Sequence, residues 1–219
     1  MRHLKTSIMM VVGAGVLLGL VFPIVILGIA RVAFPRQAEG SLLSRDGKVI
    51  GSELIGQSFA EPEYFHPRPS AAGSGYDASA SGGTNLGPTS SKFINGIHKK
   101  LPDGKDDPGN FDGIGDLAAA YRKENGLAAG TPLPAEAVTR SASGLDPHIS
   151  PANAALQVAR VAKARGMRED EVRGIVGRCT EGRTMGLLGE ARVNVLKANL
   201  ELDGAQGRKG LGASTSGSR

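Results

Sequence analysis

Hydrophobic residues form one long run near the start of the chain and only short periodic groups after it. Residues 6–30 carry no charge, and Lys5 and Arg31 stand on either side of them. The apolar core at residues 8–30 corresponds to a helix of roughly 34 Å, which exceeds the ~30 Å hydrocarbon core of a bilayer. The pattern therefore predicts a transmembrane helix over residues 7–30.

A cleaved signal peptide is the alternative interpretation of this run. The run is longer than the ~7–15 apolar residues of a signal-peptide core, and residues 30–35 lack a small-x-small cleavage site. We therefore expect a retained anchor. Its orientation stays open, because Arg2 and Lys5 precede the run while Arg31 and Arg36 follow it.

Gly15 and Gly19 lie four residues apart within the run. Small residues at this spacing share a helix face and allow another membrane helix to approach closely. The spacing also arises by chance, because glycine is frequent in membrane helices. Pro23 can kink the helix, which favours packing against neighbouring helices. We take Gly15 and Gly19 as the candidate membrane interface.

The segments after the anchor show both strand-like and helix-like patterns. Residues 41–50 predict a β-hairpin, with Asp46 and Gly47 at the turn. Apolar residues at helical spacing predict short helices over residues 91–100 and 117–124. The domain is therefore expected to contain both kinds of element.

The clearest helices lie in the last third of the chain. Ser150 is a good N-cap and Gly166 a good terminator for one helix, and a second helix is predicted to start near Glu169. Residues 192–203 predict a strand with a bulge near Val195, because the apolar alternation changes parity there. Together these elements predict an α+β fold, with a single N-terminal transmembrane helix followed by one mixed α/β soluble domain.

Composition adds four points to this outline. The soluble domain, at residues 36–203, is long enough for one hydrophobic core. The net charge is +5, but the basic residues are scattered among acidic ones, so no nucleic-acid partner is expected. Cys179 is the single cysteine, which excludes an intramolecular disulfide and is typical of a small core residue. The Gly/Ser-rich residues 204–219 predict a disordered tail.

The sequence offers little catalytic chemistry of its own. It has no GxxxxGK[ST] phosphate-binding loop and no phosphorylatable aspartate motif of the P-type kind. Ser143, Asp146 and His148 are the residue types of a hydrolytic triad, but their closeness in sequence argues against one. Residues 160–166 and the following helix have the outline of a helix-turn-helix. The alternatives are therefore a membrane-anchored hydrolase and a membrane-anchored helix-turn-helix DNA-binding regulator. No metal site is predicted, since His66 and His148 lack a cluster of partner ligands.

Residues 81–89 form a glycine-rich loop that allows three interpretations. Its backbone N–H groups could cradle an anion, and its carbonyl groups could face potassium. The favoured interpretation is a tight turn that places Gly and Asn residues at positive φ. Asn85 and Gly87 are the residues that we single out in this loop.

Four stretches together carry a specific resemblance to one family. They are GSELIGQ at 51–57 with YFHPRPSA at 64–71, SGGTNLGPT at 81–89, SASGLDPHIS at 141–150, and RVAKARG at 160–166 with VNVL at 193–196. In this order, behind one N-terminal membrane helix, they resemble the C subunit of the bacterial high-affinity potassium-transporting P-type ATPase, the Kdp pump. Residues 99–115 look like an extension of the family's usual loop. The candidate subunit-interface or loop residues within these motifs are Arg68, Asn85, Gly87, Asp146 and His148.

The resemblance implies an accessory subunit of an ATP-driven potassium uptake pump in the cell (inner) membrane. Such a subunit assembles with a P-type catalytic subunit and a channel-like, potassium-binding subunit, and its soluble domain lies outside the cytoplasm. It acts as a catalytic chaperone that raises the ATP affinity of the catalytic subunit. The resemblance implies no active site and no cofactor of its own. The one nucleotide that the chain could contact is ATP, shared with the catalytic subunit. Because ATP is scarce outside the cell, such an effect is expected to travel allosterically.

Overall fold

The apolar N-terminal run is helical along almost its whole length. The computed structural model describes residues 2–45 and 47–205. Its first elements are α1 at Arg2–Val16, a π-helical turn at Leu17–Val21 and α2 at Phe22–Ala33. The most apolar window of His3–Ala33 has a mean hydropathy of 2.7 and no buried residue, so this helix has the length and composition to cross a membrane.

The π-helical turn ends two residues before Pro23. Proline has no N–H to donate, and it interrupts the regular hydrogen-bond pattern of a helix. Here the Phe22 N–H bonds to the Leu17 carbonyl, five residues back, before the regular pattern resumes in α2. The chain thus accommodates the proline with one wide turn and stays helical.

The membrane helix belongs to the first of two compact units, which divide between Leu54 and Ile55. The remaining elements of this unit are α3 at Pro35–Ala38, β1 at Leu42–Arg45 and β2 at Lys48–Ser52. The strands β1 and β2 are antiparallel, with Arg45 opposite Lys48, which confirms the predicted hairpin. Asp46 of the predicted turn lies outside the described residues, and Gly47 has a φ of +75°.

The second unit combines helices with one small sheet, as the predicted α+β fold requires. Its elements are a 3-10 turn at Ala78–Ala80, α4 at Ser91–Asn95, α5 at Ile114–Glu124, α6 at Ala135–Val138, β3 at His148–Ile149, α7 at Pro151–Arg165, α8 at Glu169–Arg178, β4 at Thr180–Glu181, β5 at Arg192–Asn194 and α9 at Val195–Ala205. The sheet is antiparallel in the order β3-β5-β4. From residue 206 onward, the predicted disordered tail lies outside the described residues.

Helix α7 forms as its sequence predicts. Ser150 Oγ accepts a hydrogen bond from the Asn153 N–H at 3.1 Å, and Gly166 ends the helix with a φ of +63°. Its apolar face packs with α8, β5 and α9 around Phe65 to form the core. The buried members of this core are Phe65, Ile149, Ala154, Val158, Val161, Ala162, Val172, Ile175, Cys179, Val193, Val195, Ala198 and Leu202. Burial also raises the pKa of the Cys179 thiol to about 11, as expected for a core cysteine.

Two predicted elements differ from the structure. The strand predicted at residues 192–203 is confirmed only for β5 at Arg192–Asn194 and is wrong beyond it, because α9 begins at Val195. Asn194 Oδ1 accepts a hydrogen bond from the Lys197 N–H at 3.0 Å, so its side chain caps the new helix. Val195, Ala198 and Leu202 then share one buried face at helical spacing. The apparent change of parity therefore marks the start of a helix.

The helix predicted over residues 91–100 is shorter than expected. It ends at Asn95, and Gly96 follows with a φ of +75°. The chain then turns into a bridge in which Ile97 pairs with Phe111. The extension at residues 99–115 is thus folded back on itself. The helix predicted over residues 117–124 is confirmed and starts three residues earlier, at Ile114.

Candidate functional site

Side chains of two helices hold the backbone of residues 62–67, which turn at residues 62–64 and then run without regular secondary structure. Asn199 of α9 accepts a hydrogen bond from the Phe65 N–H at 2.8 Å and donates one to the Phe65 carbonyl at 3.0 Å. Gln157 of α7 does the same for His66, at 2.8 and 3.1 Å. The two amide groups therefore satisfy this backbone as a neighbouring β-strand would.

Two arginines of α7 strengthen this attachment. Arg160 Nη1 donates to the carbonyl groups of Pro62 at 2.7 Å and Tyr64 at 2.9 Å. Arg165 Nη2 pairs with Asp203 Oδ1 of α9 at 2.9 Å, and neither side chain is exposed. A fully buried ion pair of this kind is strongly sensitive to the loss of either partner. The arginines of the RVAKARG motif thus have a structural role in positioning residues 62–67.

Residues 141–146 are the point where the other motif segments meet. The Gly56 N–H donates to the Leu145 carbonyl at 2.7 Å. Ser70 Oγ donates to the Gly144 carbonyl at 2.7 Å. The Gly82 N–H donates to the Ser143 carbonyl at 2.9 Å. Three stretches that are far apart in sequence therefore share one central segment, which we call the motif hub, residues 141–146.

Glycine is needed in two segments that contact the motif hub, because their backbones approach it closely. A Cβ on Gly56 would lie 2.6 Å from the Asp146 carbonyl oxygen, and one on Gly83 would lie 2.8 Å from that of Ala142. Neither neighbour is a flexible side-chain end, so a larger residue would displace the chain. The motif segments that contain Gly56 and Gly83 thus pack directly on the motif hub.

Three of the candidate residues come together beside the motif hub. Arg68 Nη1 pairs with Asp146 Oδ2 at 2.8 Å, and Asp146 Oδ1 accepts a hydrogen bond from the His148 N–H at 3.0 Å. The partly buried Tyr76 hydroxyl donates to the Arg68 carbonyl, and desolvation raises the pKa of that hydroxyl. Arg68, Asp146 and His148 border an open cavity of about 300 Å³, which we call the Arg68 cavity. Its lining residues are Arg68, Glu136, Asp146, His148, Ile149, Ser150, Glu190, Ala191 and Arg192.

The environment of His148 favours its neutral form. Burial lowers the pKa of its imidazole, and the positive charge of Arg192 lowers it further. The carboxylates of Asp146 and Glu181 raise the pKa but do not outweigh these effects. The imidazole is therefore uncharged at neutral pH. It offers a hydrogen-bonding group to the Arg68 cavity, with charge supplied by Arg68, Asp146 and Arg192.

The structure does not bring Asn85 and Gly87 to the Arg68 cavity. Both are exposed, and neither lines it. Asn85 has a φ of +52°, the left-handed conformation that the tight-turn interpretation requires. Gly82, Gly83 and Gly87 do not have a positive φ, so the interpretation is correct for Asn85 alone. The loop is anchored through its first residues to the motif hub, and Asn85 and Gly87 remain candidates only for contacts made at the surface.

The triad residues are not arranged as a hydrolytic site among the described residues. Ser143 Oγ accepts a hydrogen bond from the Leu145 N–H at 3.1 Å and makes none with His148. His148 Nδ1 lies 3.8 Å from Asp146 Oδ1. The serine is therefore engaged in the local turn, and no base is aligned to activate it.

One cluster has residue types that could hold a metal ion. His98, Asp112 and Asp116 place ligand atoms within 4.8 Å of one another. Asp116 Oδ2 is already engaged, because it accepts hydrogen bonds from His98 Nε2 at 2.9 Å and from the Gly113 N–H at 2.8 Å. The same carboxylate thus caps the first turn of α5 by accepting the N–H of its N-cap residue, Gly113. Its role in capping α5 accounts for the position of Asp116.

Gly15 and Gly19 are both open on the membrane helix. Gly15 lies in α1 and Gly19 in the π-helical turn, and apart from the adjacent backbone of the same helix no atom of the described chain is within 4 Å of where a Cβ would stand on either. This face is therefore free of contacts within the chain.

The residues that sequence reasoning missed are Gln157, Arg160 and Asn199. Each is a polar residue on a helix, and on pattern alone such a residue is expected at the surface. In the structure all three are buried. Their position within or next to the apolar periodicity of α7 and α9 was the signal that could have identified them.

Comparison with known proteins agrees with the motif arrangement. The family described as KdpC, "K+-transporting ATPase, c chain", matches residues 4–204. A relative from Koribacter versatilis (strain Ellin345), named potassium-transporting ATPase KdpC subunit, is 51% identical over 205 residues, which cover 94% of this chain and 96% of the relative. Relatives of the same name are 48% identical in Caulobacter sp. (strain K31), covering 96% and 99%, and 46% identical in Mycobacterium bovis (strain BCG / Pasteur 1173P2), covering 92% and 98%. The chain therefore belongs to the KdpC family and is a membrane-associated subunit of the potassium-transporting ATPase.

Proposed function

We propose that this chain is an accessory subunit that assembles with the P-type catalytic subunit and the channel-like, potassium-binding subunit of the pump. One observation carries this proposal: the polar side chains of the motifs and of helices α7 and α9 bond to other groups of the chain itself. Gln157, Arg160 and Asn199 bind main-chain groups, and Arg68 pairs with Asp146. Residues engaged in this way build a rigid surface for a partner. The pump's ATP hydrolysis belongs to another subunit.

The chain is proposed to cross the cell membrane once, with its soluble domain outside the cytoplasm. The single candidate span among the described residues supports the first part, and the family resemblance supports the second. A reporter that is active only outside the cytoplasm, fused after Asp203, is expected to be active. Activity of a cytoplasmic reporter alone would contradict this orientation and reopen direct ATP binding and the DNA-binding alternative.

The open face of the membrane helix is proposed to pack against the potassium-binding subunit. Replacing both Gly15 and Gly19 with Leu adds bulk where two backbones would approach, and is expected to cost on the order of a kcal/mol or more. Less of the chain should then co-purify with the pump. Gly13 and Gly28 are equally open in the described chain, so the Gly13→Leu/Gly28→Leu variant is the matched control. Equal loss in both variants would count against the specific face.

The chain is further proposed to act as a catalytic chaperone that raises the ATP affinity of the catalytic subunit. With the soluble domain outside, the effect is a coupling free energy between separate sites, typically about 1–3 kcal/mol. The KM for ATP of the pump is then expected to be ~5–150-fold higher without this chain. An unchanged KM would refute the chaperone role but leave the assembly intact.

The purified chain alone is expected to hydrolyse neither ATP nor simple esters. Hydrolysis that is lost on Ser143→Ala would contradict this.

A further inference from the structure

The loop between β4 and β5 has an apolar tip that no described residue covers. Met185, Leu187 and Leu188 are 92%, 75% and 61% exposed. The other exposed large apolar side chains of the second unit are only 37–45% exposed, and they are Ile55, Ile94 and Leu101. We call residues 185–188 the apolar tip. Three large apolar side chains presented together in this way are typical of an interaction site.

The apolar tip is held in a defined shape. Thr184 and Leu188 exchange backbone hydrogen bonds of 2.8 and 3.0 Å across its base. Arg183 Nη2 lies 2.7 Å from both carboxylate oxygens of Glu190, so an ion pair closes the loop below them. Met185 itself has a φ of +55°, an uncommon conformation for a residue other than glycine. The side chains are therefore presented by an ordered turn, which lowers the entropy cost of binding.

The base of the loop is continuous with the Arg68 cavity. Glu190 and Arg192, which follow the tip, line this cavity together with Arg68, Asp146 and His148. The apolar tip and the candidate residues thus belong to one surface of the second unit, with an apolar projection beside a polar recess. This arrangement matches the apolar centre and polar rim of a protein interface.

The chemistry of the tip identifies the kind of partner. Residues 184–189 contain no Lys, Arg, Tyr or Trp, whereas segments that insert into membranes use such residues at the headgroup level. The charges at the base, Arg183 and Glu190, pair with each other. A second copy of the chain is a less suitable partner, because three cavities of the second unit each include charged side chains, among them Arg68, Glu124 and Arg160. We infer that the apolar tip inserts into a neutral, apolar pocket of another subunit of the pump. This inference rests on the proposed assembly.

The test uses the full-length chain produced together with the other subunits, with an affinity tag on the catalytic subunit. The variant Met185→Asn/Leu187→Ser removes two apolar side chains, and Asn tolerates the left-handed backbone at position 185. Its apparent affinity for the pump is expected to fall at least about tenfold, as for the loss of interface anchors. Leu101→Ser is the matched control and should co-purify as the unchanged chain does. The circular dichroism spectrum of the double variant should match that of the unchanged chain.

A photo-crosslinking amino acid at position 187 identifies what the tip contacts in the assembled pump. An adduct with another subunit is the expected result. Adducts only with lipid, or only with a second copy of this chain, would overturn the inference. So would a double variant that co-purifies as well as the unchanged chain, although the assembly itself would then stand. If the unchanged chain does not co-purify at all, the proposed assembly is wrong.

Discussion

Asn199 is the residue whose removal should most clearly expose how the fold is held together. Its side chain is fully buried and makes two hydrogen bonds with the backbone of Phe65, which is also fully buried. Asn199→Ala removes both partners at once. The Phe65 N–H and carbonyl are then left in the core with no group to replace the lost amide.

The expected cost follows from these two groups. A buried donor or acceptor that loses its partner costs about 1–3 kcal/mol. Two such groups therefore give a loss of roughly 2–6 kcal/mol in the free energy of unfolding. A domain of this kind has a total stability of about 5–15 kcal/mol, so the variant should lose a large share of it.

Urea unfolding of the full chain in mild detergent measures this loss. The helix signal in circular dichroism is the suitable probe, because the chain has no Trp. Glu201→Ala on the same helix is the matched control, since Glu201 is partly exposed and its carboxylate interacts with the exposed Arg178 and with the Cys179 thiol. That control should cost no more than about 1 kcal/mol. A loss below about 1 kcal/mol for Asn199→Ala would refute the view that this amide acts as a substitute strand.

Three further predictions concern the same framework. The pKa of His148 is lower in the native state, so the native state binds fewer protons than the unfolded state. The free energy of unfolding should therefore fall as the pH drops below about 6.5. The difference in this free energy between the unchanged chain and His148→Gln, measured from about pH 7 to 5, should show this slope. Gly56→Ala places a Cβ 2.6 Å from the Asp146 carbonyl oxygen and should cost about 1–3 kcal/mol in urea unfolding, whereas an unchanged midpoint would mean that the backbone yields freely. Asp203→Ala removes the carboxylate that pairs with the fully buried Arg165 and should cost about 3–5 kcal/mol, with a cost near zero counting against a structural role for the pair.

Local signals in the sequence were sufficient for several elements. The uncharged run at residues 6–30 needs only its length to predict a membrane helix, and α1 and α2 cover it. Ser150 and Gly166 define the ends of α7 through their own backbone chemistry. The hairpin at residues 41–50 depends on its turn residues. Each of these features is decided by neighbours in the sequence, so a single chain is enough to predict it.

The parts that failed depend on distant contacts. Asn199 is buried because it binds Phe65, which lies 134 residues earlier in the chain. A polar residue inside an apolar pattern weakens the helical periodicity of α9, so the alternation of its neighbours predicts a strand. Likewise, Arg68 and Asp146 are 78 residues apart, and only the packing at the motif hub brings them into contact. The family resemblance identified Arg68 and Asp146 as candidate residues, but only the fold shows that they are in contact.

Potassium uptake in cells that lack this chain tests the central claim most directly, because an accessory subunit must be required for the transport carried out by its pump. Cells that produce the other subunits but not this chain are expected to take up potassium poorly at low external concentration, and the unchanged chain should restore uptake. The Gly15→Leu/Gly19→Leu variant should restore it less well than the Gly13→Leu/Gly28→Leu control. Uptake through the pump that is equally fast with and without the chain would contradict the account.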